Sequence, residues 1–156
     1  MAGNLPSLGV RFRSGLIYVV VSCICILVND WAFAIYLAIV SGICAAEFFQ
    51  MMHKDHKITN DALGIVASAL YPLAMKIWGL SGVALITVLY VMLLIVWFVY
   101  FMRARVPDMG VSFFAAGYTG MMLSRLVLIR QALEHPWGGV LVLLLFASIW
   151  FNDAGA

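Results

Sequence analysis

The chain has 156 residues, 65% of them hydrophobic and 10% charged, with a net charge of +2 and a mean hydropathy of +1.07. A soluble domain averages about 45–50% apolar and about 25% charged residues, so the composition excludes one and points to an integral membrane protein. The nine Lys and Arg residues form short clusters at the ends of apolar runs, which leaves no basic face for nucleic acid.

In chain order, Met1–Val10 reads as a loop-like leader containing Pro6, followed by Arg11 and Arg13. Residues 14–31 form a first candidate span. It is short for a bilayer core that asks for about 20 residues, so Arg13 is expected to snorkel at one end while Trp31 marks the other interface. Residues 32–52 follow almost without a break and should pair antiparallel with the first span. Ser41, Gly42, Ala45 and Ala46 give this second span a face for close helix approach. Glu47 lies about a turn before its end, where it reaches toward the interface and Lys54. His53-Lys54-Asp55-His56-Lys57 is the most hydrophilic stretch and must be aqueous.

Asn60 or Asp61 is the expected N-cap of a third span, 62–78. Its Pro72 requires either a kink or a neighbouring helix that satisfies the carbonyl left without a donor. Gly79 to Gly82 should turn the chain into a fourth, uninterrupted span, 81–102, broken by Val106-Pro107-Asp108. The fifth span, 109–129, carries Gly110, Gly117 and Gly120 and suits the inside of a bundle. A sixth, 137–153, ends at Asn152-Asp153-Ala154-Gly155-Ala156. The three cysteines, Cys23, Cys25 and Cys44, lie within apolar runs with no ligand spacing around them and read as small core residues.

With alternating spans, Arg11, Arg13, Lys54, Lys57, Arg103 and Arg105 share one side of the membrane, against Lys76, Arg125 and Arg130 on the other. The positive-inside rule makes the first side cytoplasmic, with the amino terminus inside and Asp153 arriving at the cytoplasmic face. The expected fold is therefore an all-α, polytopic transmembrane helical bundle of about six spans, forming one domain over 1–156.

Asp153 has two readings. One is a Mg²⁺ ligand, since hard cations take carboxylate oxygens and bridge to phosphates; the other is a helix-terminal carboxylate facing water. Asn152 either joins that ligand set or is solvated surface. Arg11 and Arg13 are placed for anionic headgroups, although topology signals account for them without any ligand. Arg125 reads as an interfacial anchor, and His53 and His56 as loop residues. No G-x-x-x-x-G-K-S/T loop, G-x-S-x-G elbow or H-E-x-x-H pair occurs, so P-loop, α/β-hydrolase and zincin readings have no support.

Arg11-Phe12-Arg13-Ser14-Gly15, Ala45-Ala46-Glu47-Phe48-Phe49, the run from Ser124 to Arg130 and Ile149-Trp150-Phe151-Asn152-Asp153-Ala154-Gly155-Ala156 resemble the amino-terminal half of bacterial phosphatidate cytidylyltransferase, the CDP-diacylglycerol synthase family. In that family an R-x-x-S/T-G start, an A-x-E-aromatic helix end and a W-x-x-D segment closing on G-A-Y occur in this order. The resemblance implies a multi-pass enzyme of the bacterial inner membrane that transfers CMP from CTP to phosphatidate, with Mg²⁺ required. It further implies that Asp153 belongs to the metal and nucleotide site, and that homodimerisation is a family-level expectation. The family's later glycine- and lysine-rich loop, S-P-x-K-T motif and acidic signature are not in these residues. The chain accordingly reads as a front portion truncated within a site motif and inactive alone. The competing reading is a non-enzymatic membrane protein, a small transporter or scaffold subunit, with Asp153 and Glu47 as coupling or structural carboxylates.

Overall fold

A backbone surrounded by lipid has no water to bond, so its amide groups must be satisfied within the segment. The computed structural model, which describes residues 8–101, 103–133 and 136–155, is built of helices, with no strand among the described residues. They are α1 (Leu8–Val28), α2 (Asp30–Lys54), α3 (Asp61–Tyr100), α4 (Val106–Ala116), a π-helical turn (Gly117–Met121), α5 (Met122–Gln131) and α6 (Trp137–Gly155). Three rods are long and apolar enough to cross a membrane: Asp30–Lys54, Asp61–Tyr100 and the continuous Val106–Gln131. Gly15–Val28 and Trp137–Asp153 are shorter apolar helices.

Leu8, Gly9 and Val10, expected in a loop, already belong to α1. Nothing after Pro6 obstructs the helix, and arginine is a good helix former, so the helix extends through Arg11 and Arg13. Asn29 alone separates α1 from α2. Its extended backbone (φ −159°, ψ 152°) reverses the chain, and the Ser22 and Tyr36 hydroxyls, 14 residues apart, meet at 2.6 Å. Asn60 caps α3, its Oδ1 accepting from the Leu63 amide at 3.2 Å.

The long α3 is a hairpin. Gly79 has φ +60° and ψ −142°, a conformation essentially reserved for glycine. Tyr71 and Thr87 lie about 24 Å apart along a straight helix, yet their hydroxyls are 3.2 Å apart. A Cβ at Gly82 would come within 2.6 Å of the Ala74 carbonyl oxygen. The expected four-residue turn is thus compressed into one glycine, and the limbs on either side run antiparallel.

Pro72 leaves the helix unbroken. It removes the donor for the Ser68 carbonyl, and Ser41 Oγ of α2 donates to that oxygen at 2.8 Å. The neighbouring helix therefore does what the backbone cannot. On the other flank of Ser68 sits the π-helical turn. Its Thr119 hydroxyl lies 3.1 Å from Ser68 Oγ, and a Cβ at Gly120 would stand 2.5 Å from Ser68 Cα. Gly110 and Gly117 instead have nothing within 4 Å of an added Cβ, so only part of the glycine set faces inward.

The buried core joins Ile26, Phe33, Leu37, Tyr71, Met75, Leu94, Val127 and Val142. Large apolar side chains such as Ile24, Ile39, Val88, Met92 and Leu144 are nevertheless exposed, the all-round apolarity expected of helices that meet lipid. The start of α1 and the ends of α2 and α6 gather at one end of the bundle; the α1–α2 junction, the α3 bend and the α5–α6 connection gather at the other.

Candidate functional site

Asp153 lies near the end of α6, which stays helical through Gly155. Residues three and four apart share a helix face, and Phe146, Trp150 and Asp153 use that spacing to face α1. Trp150 packs edge-on against Phe146 (5.7 Å between centroids) and against Tyr18 of α1 (6.5 Å). Between these helices and α2 runs a groove of about 520 Å³ whose walls include Gly15, Tyr18, Tyr36, Phe146 and Trp150, with Asp153 at its rim. Gly15 keeps one wall open, since a Cβ there would meet nothing within 4 Å. The Tyr36 hydroxyl is engaged by Ser22, and Ser22 also donates to the Tyr18 carbonyl at 2.7 Å. The result is an apolar groove with one exposed carboxylate, Asp153, in its lining.

Asp153 and Asn152 are both exposed, and Asn152 does not line the groove. Arg13 is exposed on α1, two residues before Gly15; the Arg11 side chain lies outside the described residues. Glu47 is exposed. Among the described residues, Asp153 enters no ion pair and no group of three or more His, Cys, Asp or Glu side chains gathers. One exposed carboxylate cannot cage a metal, but it fits Mg²⁺ bound in the shared mode, with one or two protein carboxylates, water and substrate phosphates. Arg125 is half-buried beside a separate apolar groove with Phe113, Phe114 and Tyr118.

The opposite end holds a cluster of Asp30 with Lys76 and Arg130, two of the cations expected there as topology signals. Asp30 Oδ2 accepts from Lys76 Nζ at 2.9 Å, and Asp30 Oδ1 from Arg130 Nε at 2.8 Å. Arg130 Nη1 also donates to the Cys25 carbonyl at 3.3 Å, and its guanidinium lies 5.4 Å from the Phe33 ring centre. Side-chain exposures of 4% for Arg130, 15% for Lys76 and 42% for Asp30 show why pairing is required, because a desolvated cation without a partner is costly. The available signal was the placement of all three residues at span ends on one side. On the Asp153 end, the expected loop residue His53 instead contacts Asp61 (3.5 Å) and the Thr59 hydroxyl (3.3 Å).

A family model for cytidylyltransferases matches residues 9–156, from the first turn of α1 through the Asp153 segment. The chain belongs to the cytidylyltransferase family. This is the family of phosphatidate cytidylyltransferase, in agreement with the motif resemblance. Membership makes nucleotidyl transfer from a CTP-type nucleotide the chemistry of this cytidylyltransferase-family chain. No curated protein and no solved structure matched it.

Proposed function

We propose that the protein acts as a phosphatidate cytidylyltransferase. A phosphate oxygen of phosphatidate attacks the α-phosphorus of CTP, the bond between the α- and β-phosphates breaks, and CDP-diacylglycerol and pyrophosphate form. The observation that carries this reading is an exposed carboxylate, Asp153, lining an apolar groove within a cytidylyltransferase-family chain. Such a groove suits an acyl chain, while its rim meets the water from which a nucleotide arrives.

In this reading α1, α2, the two limbs of α3, the α4–α5 rod and α6 are six spans of the bacterial inner membrane. The end bearing Arg13, Lys54, Lys57, Arg103 and Arg105 faces the cytoplasm, by the positive-inside rule. Asp153 would hold Mg²⁺, which supplies charge neutralisation to the triphosphate and the leaving pyrophosphate. Arg11 and Arg13 attract and position the anionic headgroup, and Asn152 stands beside the nucleotide as a hydrogen-bonding side chain. Homodimerisation belongs to this reading as a family-level expectation; Ser41, Gly42 and Gly120 spend their small faces on packing within one chain.

The test is CTP-dependent formation of CDP-diacylglycerol in membranes carrying the full-length gene product and its Asp153→Asn variant. The variant keeps size and helix compatibility but loses the charge, so the rate should fall roughly a hundredfold. An unchanged rate removes Asp153 from the site.

A further inference from the structure

We infer that the groove lined by Asp153 gauges the length of the lipid's acyl chain, with Tyr36 as the stop. The inference rests on the phosphatidate reading and goes beyond it, because that reading leaves the acyl chain unspecified.

The groove is closed at the end away from Asp153. Its last lining residues in that direction are Tyr36 on α2, Leu126 on α5, and Leu145 and Phe146 on α6. Within one further turn of the surrounding helices stand Ser22, Phe33, Val127 and Val142, each at most 1% exposed. Phe33, Val127 and Val142 belong to the bundle core. Beyond this layer the helices are tied to one another, α5 to α2 through Arg130 and Asp30. At the same level α6 meets α1, where a Cβ at Gly139 would stand 3.6 Å from the Ile26 carbonyl oxygen. A close-packed layer of this kind gives a hydrocarbon chain no passage.

Tyr36 is held in place at that closed end. A serine hydroxyl has one hydrogen to give, and Ser22 donates it to the Tyr18 carbonyl at 2.7 Å. The hydrogen between Ser22 and Tyr36 therefore comes from the tyrosine, at an oxygen separation of 2.6 Å. Swinging the ring aside would leave its hydroxyl without that acceptor in apolar surroundings, at a cost that favours the observed position.

Length follows from the helix. From Leu145 to Asp153 the groove follows α6 for eight residues, about 12 Å at the usual rise. A chain that fills its own leaflet covers about 15 Å, half of a bilayer core. With the headgroup held near Asp153, a long chain reaches Tyr36 before all of it is housed. Methylenes up to that point gain burial; those beyond it must fold back or leave the groove.

The test is a competition. Full-length protein in phosphatidylcholine nanodiscs receives CTP with equal amounts of dilauroyl and distearoyl phosphatidate, and mass spectrometry counts the two CDP-diacylglycerol products. Their ratio is a ratio of kcat/KM values and does not depend on how much enzyme is folded. The wild type should favour the dilauroyl substrate roughly tenfold. Tyr36→Leu, which withdraws the stop, should bring the ratio close to one. Leu145→Phe adds bulk at the closed end from a residue that is 37% exposed, and should raise the ratio; it keeps the test decisive where loss of the Tyr36 ring prevents folding. Absence of both products overturns the phosphatidate reading and the gauge with it. Equal products from the wild type, or a ratio that the folded variants do not move in these directions, overturns the gauge alone.

Discussion

Arg130 Nε donates to Asp30 Oδ1 at 2.8 Å across 100 residues of sequence, tying α5 to the first residue of α2. Lys76 adds α3 to the same carboxylate at 2.9 Å, so one acidic side chain fastens three helices. Asp30→Asn should therefore lower stability by about 2–3 kcal/mol. That is below the cost of breaking a fully buried pair, because Asp30 is 42% exposed. Lys76→Met, which removes the less buried of the two cations, should cost under about 1 kcal/mol. Unfolding in mixed micelles compares the two variants, and equal losses would contradict this ranking.

Ser41 supplies the hydrogen that Pro72 withholds from the Ser68 carbonyl. Ser41→Ala should cost about 1–2 kcal/mol, the penalty of an unsatisfied buried acceptor. In a Pro72→Ala background the backbone amide of residue 72 can bond that carbonyl again, so the same substitution should cost markedly less. A double-mutant cycle on unfolding free energy measures the coupling, and strict additivity would refute it.

Gly120 and Gly110 lie in the same rod but in opposite environments. Gly120→Ala forces a Cβ to 2.5 Å from Ser68 Cα and should destabilise by about 1–3 kcal/mol, since backbone cannot yield as a side chain can. Gly110→Ala, with open space beside it, should be neutral or gain up to about 1 kcal/mol from helix propensity. Thermal unfolding of both variants in one detergent checks the contrast.

Gly15 borders the groove that ends at Asp153, and open space beside it admits a larger side chain. In the proposed enzyme, Gly15→Leu should raise KM for phosphatidate roughly fivefold while leaving KM for CTP unchanged, because the added volume competes with an acyl chain for the same apolar space. A rise in KM for CTP alone would place the lipid elsewhere. Steady-state rates at varied lipid and nucleotide supply both constants.

Much of the architecture was legible in the residues. The apolar runs dictate helices because lipid permits few alternatives, Asn60 announces the start of α3, and Pro72 announces that a neighbour must serve the Ser68 carbonyl. The motifs at Arg11, Glu47 and Asp153 pointed to the family that the match over residues 9–156 establishes. Less legible was which small residue meets which backbone. Gly110, Gly117 and Gly120 look alike in sequence, yet only Gly120 is pressed against Ser68.

Local chemistry thus determined where helices form, which ends of the apolar runs carry the charges and which carboxylate lies at the end of α6, since each depends on residues near in sequence. The tertiary structure decided the rest. Whether Lys76 and Arg130 are interfacial signals or partners of Asp30 depends on distances between α2, α3 and α5, and a count of charges per loop carries no such distance. It likewise decided that Asp153 opens onto a groove formed with α1 and α2, because a channel between helices exists only once they have packed.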